Sequence, residues 1–115
     1  MALTKTEANA EVYYHGTHKH WFDEQVETYG RYQQPIDCGQ FSFSFVGLCF
    51  EQSTNYARDR AKRLGHGKYA IPIVLKIDGD KVRGKVYEHP RIADIGIDFL
   101  NLDEFEIVEV GWGRD

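Results

Sequence analysis

The chain has no apolar run approaching the ~20 residues that a membrane-spanning helix requires. Its beginning lacks the charged, apolar and small-residue segments of a secretory signal, which leaves a cytoplasmic location as the expectation. Cysteine is scarce. Cys38 and Cys49 are too far apart for a metal-binding or redox pair and read as reduced thiols. No tract is of low complexity and no segment repeats. There is no Gly-x-Ser-x-Gly, and Gly65-His66-Gly67-Lys68 lacks the spacing of a phosphate loop. Nucleophilic hydrolysis and nucleoside-triphosphate chemistry therefore have no motif to rest on. No large excess of positive charge exists either: the net charge is −4, which disfavours nucleic acid as the main partner.

What the chain does have is aromatic bulk, with seven Phe and seven Tyr among 115 residues. Aromatic side chains bury large areas, so one small core suffices. The length fits a single domain, expected over residues 11–115, behind a flexible leader over residues 1–10. Val12-Tyr13-Tyr14 reads as a strand stopped by Gly16. Trp21, Phe22, Val26 and Tyr29 fall at near-helical spacing, with Gly30 at the helix end. Phe41-Ser42-Phe43-Ser44-Phe45 alternates as a half-buried strand, which Leu48-Cys49-Phe50 continue past a bulge at Gly47. Ser53 reads as the N-cap of a second helix reaching Leu64, with Ala57, Ala61 and Leu64 inward. Ile71, Ile73, Leu75 and Ile77 alternate as a strand, with Pro72 at its start. Lys81 to Tyr87 is expected to pair back on it across a Gly79-Asp80 turn, and Phe105 to Val110 forms the last strand. Residues 88–103 are ambiguous. This order predicts an α+β domain, mainly antiparallel, with two or three helices.

Two short segments carry chemistry. In Tyr13-Tyr14-His15-Gly16-Thr17, a glycine lets a flat ligand approach the main chain while an imidazole beside it can bond a hydroxyl. In Ser53-Thr54-Asn55-Tyr56, a hydroxyl and an aromatic ring open a helix, suited to holding an amide and stacking on a heterocycle. Each alone is explained as well by turns, caps and packing. His15, His18 and His20 do not converge on one face of a strand, so no metal site is expected.

In their order and context the two segments resemble the ADP-ribosyltransferase superfamily, specifically its His–Tyr–Glu branch, over roughly residues 12–78. The resemblance implies a small split antiparallel β-sheet fold, of the compact bacterial or phage-effector kind, that binds NAD as a substrate. It implies that His15 bonds the adenosine-side ribose, Gly16 and Ser53 hold the nicotinamide carboxamide, Tyr56 stacks on the nicotinamide ring, and Thr17 assists. The family's catalytic Glu lies at the start of a late strand, which points to Glu104, with Glu106 in reserve. Cys49 stands where the family has a further tyrosine. The expected activity is mono-ADP-ribosylation of a macromolecule, protein slightly favoured over nucleic acid. The alternatives are an inactive binding module, tRNA 2′-phosphotransferase chemistry or NAD hydrolysis on the same fold.

Overall fold

A computed structural model describes residues 4–5, 10–33, 44–64, 70–88, 95–97 and 99–112. They form an α+β structure whose strands are all paired antiparallel. In chain order the elements are β1 (Thr4–Lys5), β2 (Val12–His18), α1 (Lys19–Tyr29), β3 (Tyr32–Gln33), β4 (Ser44–Val46), α2 (Phe50–Leu64), β5 (Pro72–Asp78), β6 (Val86–Glu88), β7 (Ile95–Ile97), β8 (Phe99–Leu100) and β9 (Phe105–Glu109). One sheet runs β2-β5-β9, a second runs β1-β6-β7-β4, and β3 pairs with β8. Among the described residues the first two meet at a bridge between Tyr14 and Gly47.

β5 is the centre of its sheet, and four of its side chains, Ile73, Val74, Leu75 and Ile77, are fully buried. Both edges of β5 are occupied, so the expected hairpin with residues 81–87 does not form. Residues 79–84 turn instead, and Val86–Glu88 pair with β1 and β7. Val82 and Val86 join the core, and that burial draws the segment away from β5. Pro72 opens β5, where its missing amide costs no ladder bond. Thr4 and Lys5, expected within a loose leader, pair with Glu88 and Tyr87.

The sheet is packed on both faces. Tyr13, Ile73, Leu75 and Ile77 share one core with Phe22 of α1, Tyr32 of β3 and Leu100 of β8. Phe22 stacks on Tyr32 at 5.4 Å and meets Phe105 edge-on at 5.7 Å. α1 is capped by His18, whose Nδ1 accepts from the Trp21 amide, and ends at Gly30 in the left-handed region, φ 72°.

α2 covers the opposite face, and its seat corrects two expectations. Gly16 does not stop β2. The strand runs through it to His18, because α2 lies so close that a Cβ on Gly16 would sit 2.2 Å from the Ser53 carbonyl and 3.0 Å from the Ala57 amide nitrogen. Nor is Ser53 the N-cap. The Ser53 amide donates to the Cys49 carbonyl, so the helix starts at Phe50, and Glu51 complements its positive end. Cys49 and Phe50 therefore do not extend β4. Buried Ala57 and Ala61 complete the close contact. The Leu64 side chain, the expected strand at 41–43 and Gly65 lie outside the described residues. Gly16→Ala should destabilise the fold by about 1–3 kcal/mol, since backbone rather than a movable side chain blocks the new methyl. A shift of the urea midpoint measures it, and an unchanged midpoint contradicts the contact.

Candidate functional site

The site is built on the outer edge of β2. The Tyr14 amide donates to the Gly47 carbonyl and the Gly47 amide donates to the Tyr14 carbonyl, both at 2.8 Å. The Tyr14 main chain therefore points away from β5. β2 keeps unbroken register with β5, so two residues on, the Gly16 amide and carbonyl point to the same outer edge. No described residue bonds them there. Among the described residues the Tyr14–Gly47 bridge joins the two sheets, and Gly16, itself buried, directs a donor and an acceptor to the same side of β2.

Side chains surround this edge. Ser53, buried in the first turn of α2, holds its Oγ 3.8 Å from the place of a Cβ on Gly47, at the bridge between the sheets. Tyr56, one turn on, is 52% exposed, so its ring is available for stacking rather than spent in the core. Phe50, at the helix start, is half exposed and meets Tyr14 edge-on at 5.5 Å. Cys49 beside it is exposed.

His15 does not lie at a strand end. It sits mid-strand, buried, and its Nε2 is 2.8 Å from the Tyr32 hydroxyl. Thr17 shares its face of β2 and is almost fully buried, yet its Oγ1 has no hydrogen-bond partner. Leaving a buried hydroxyl unpaired costs about 1–3 kcal/mol. Gly16, Ser53 and Tyr56 thus lie on the α2 side of β2, whereas the His15 and Thr17 side chains point to its opposite face, where His15 meets Tyr32.

Glu104 is not gathered with them. It precedes β9 at the level of Asp78, whose amide donates to the Glu104 carbonyl. His15 lies level with Leu75 and Ile107. Glu104 is therefore three positions along and two strands across, about 10 Å in each direction. Its carboxylate accepts from Lys85 Nζ at 2.6 Å and from the Asn101 amide at 2.7 Å, closing the turn into β9. It is buried, not a solvent-face charge, and it lines a separate groove of about 720 Å³ with Lys76, Asp78, Lys81, Arg83 and Phe105. Glu106 is exposed and pairs with Lys76 at 3.7 Å. The two glutamates share a strand face by alternation, but neither borders Gly16.

Sequence reads Arg60 only within the basic run Arg58-Asp59-Arg60-Ala61-Lys62-Arg63, which is more often a solvated helix face than a site for an acidic partner. Arg31 donates to Gln33, Arg58 to the Val110 and Gly111 carbonyls, Arg63 pairs with Asp59 and Arg83 with Asp80. Among the described residues Arg60 has no acceptor: its Nε is buried and unpaired, and its guanidinium lies 6.0 Å from the Trp21 ring. The helical period held the signal, because Ser53, Tyr56 and Arg60 are spaced three and four apart.

No protein-family model matches the chain, and no curated protein matches it. Glu104→Gln should lower stability by about 1–3 kcal/mol, because Lys85 loses its anionic partner and the Asn101 turn its charged acceptor. Thermal unfolding of the variant checks this, and an unchanged midpoint contradicts a bracing role.

Proposed function

We propose that this protein binds NAD along the open edge of β2 and transfers its ADP-ribose to a macromolecular acceptor, a protein before a nucleic acid. One observation carries the reading. Next to the bridge between the sheets, the Gly16 donor and acceptor point away from β5, with the Ser53 hydroxyl close to Gly47 and an exposed Tyr56 ring one turn further along α2. A planar carboxamide needs one donor, one acceptor and a stacking surface, and this edge offers all three.

In the proposed reaction the bond between nicotinamide nitrogen and ribose C1′ breaks, and nicotinamide leaves with the electron pair. An acceptor nucleophile forms a bond to C1′ and gives up its proton. Gly16, Ser53 and Tyr56 hold the leaving group still, which lowers the entropic part of the barrier. Phe50 adds an aromatic surface near Tyr14, where the resemblance leaves a tyrosine replaced by Cys49. His15, steadied by Tyr32, and the unpaired Thr17 hydroxyl supply polar groups for the sugar. Glu104 takes no part, because its carboxylate already serves Lys85 and Asn101.

That placement also favours a second reading, an NAD-binding module without transfer, since a positioned carboxylate is the usual source of oxocarbenium stabilisation. Titration with NAD, followed by assay of released nicotinamide and of label transferred from NAD to a cell extract, separates the two. Transfer supports the enzyme, and tight binding without nicotinamide release supports the module. Tyr56→Ala should weaken NAD binding by roughly tenfold or more through lost stacking. Wild-type protein that binds no NAD overturns both.

A further inference from the structure

The flank of α2 that faces the open edge extends past Tyr56. Gly16 lies beneath the Ser53 carbonyl and Ala57, which fixes the side of the helix seated on β2. Arg58 reaches the Val110 and Gly111 carbonyls, which marks the side toward β9. Arg60 follows two residues later, about 200° further around the helix, and so lies on the side away from β9. It approaches Trp21, in the first turn of α1, which confirms that direction. Ser53, Tyr56 and Arg60 thus form one stripe, with Arg60 about 6 Å beyond Tyr56 along the axis.

The electrostatics of this corner are unbalanced. A guanidinium carries five donors in a planar fork matched to phosphate or carboxylate oxygens. Every other described arginine has an oxygen acceptor, whereas Arg60 has none and keeps a buried Nε unpaired. Nearby, α1 opens with Lys19 and has no carboxylate in its first turn, although a helix N-terminus favours negative charge, and His20 there lies 3.6 Å from Glu24. The Arg60 guanidinium and the start of α1 belong to different elements.

We propose that Arg60 binds the phosphate oxygens of a ligand extended along β2, placing a pyrophosphate beside the first turn of α1. The inference rests on the NAD reading for the identity of the ligand, but the anion site stands on Arg60 itself. It assigns an order along the helix: amide at Ser53, ring at Tyr56, phosphate at Arg60. A ligand with a planar amide at one end and a diphosphate further along matches that order, and free nicotinamide reaches only the first two positions.

The test uses the full chain with three probes, NAD, nicotinamide and inorganic pyrophosphate, titrated against wild type, Arg60→Gln, Arg60→Lys and Tyr56→Ala. Thermal unfolding of each variant reports whether the Trp21 contact matters to the fold. Arg60→Gln is expected to weaken NAD and pyrophosphate by roughly tenfold or more and to leave nicotinamide unchanged. Arg60→Lys, which keeps the charge but not the fork, should fall between. Tyr56→Ala should weaken NAD and nicotinamide but not pyrophosphate. Folded Arg60→Gln that binds NAD and pyrophosphate like wild type overturns the proposal while leaving the NAD reading intact. Loss of nicotinamide and NAD in equal measure also overturns it, because the effect is then structural. Pyrophosphate binding that needs Arg60, in a protein that binds no NAD, sustains the anion site and sinks the NAD reading.

Discussion

The main chain of α2 rests on the main chain of β2 at Gly16, with no room between them for a methyl group. Much of the site's arrangement follows from that contact. Glycine on the strand and alanines at 57 and 61 on the helix let the two backbones approach. In a strand the Cβ direction is perpendicular to the sheet, whereas the amide and carbonyl lie within it. The helix can therefore press on the face at Gly16 while the Gly16 amide and carbonyl lie in the plane of the sheet. One residue provides the tight packing and a hydrogen-bonding pair directed away from β5, and the same packing holds Ser53, Tyr56 and Arg60 alongside.

The rest of the sheet keeps that edge in place. β5 is paired on both sides and buried at five of its seven residues, so β2 has a rigid partner over its whole length. On the far face, Phe22, Tyr32 and Phe105 fill the space between α1 and the strands. Tyr32 fills part of that core and also sets the His15 ring through its hydroxyl. The far end of the sheet is braced separately. Glu104 joins the turn before β9 to Lys85, whose Nζ also lies 4.3 Å from the centre of the Phe99 ring, and Arg31 lies 3.9 Å from the same ring. A carboxylate held on two donors in that corner is suited to bracing a turn rather than following a reacting sugar.

Local periodicity made part of this legible. The alternation through residues 71–77 and the Ala57–Ala61 spacing predict β5 and α2, and the glycine after Tyr29 predicts the end of α1. Short-range rules failed where tertiary packing competes with them. A glycine after two tyrosines reads as a strand stop, yet Gly16 is mid-strand because a helix sits on it. Ser53 has the chemistry of a cap, yet it lies a turn inside the helix, since the Cys49 carbonyl accepts its amide. Glu104 has the sequence context of an acid at a late strand. Context does not say which strand adjoins which, and β9 lies on the far side of β5 from Gly16. The local chemistry of Gly16, Ser53 and Tyr56 was readable because a strand residue and a helix flank are each local. The distance to Glu104 depends on strand order, which is not.

Arg60 gives the site its polarity. The chain carries a net charge of −4, so a cation without an acceptor is not for want of carboxylates. Arg63, three residues on, finds Asp59 on its own helix. Arg60 instead approaches Trp21 of α1, whose first turn carries Lys19 and no carboxylate at the positive end of a helix dipole. The other described arginines all have oxygen acceptors, and local conflicts of this kind are expected at functional positions. The opposite end of the same helix flank is uncharged, with Ser53, Tyr56 and an exposed Phe50. A ligand that is flat and neutral at one end and anionic at the other would satisfy both ends of this flank. An acidic peptide would satisfy only Arg60, and a neutral heterocycle only Tyr56. The two ends together, rather than either residue alone, therefore restrict what the edge of β2 can hold.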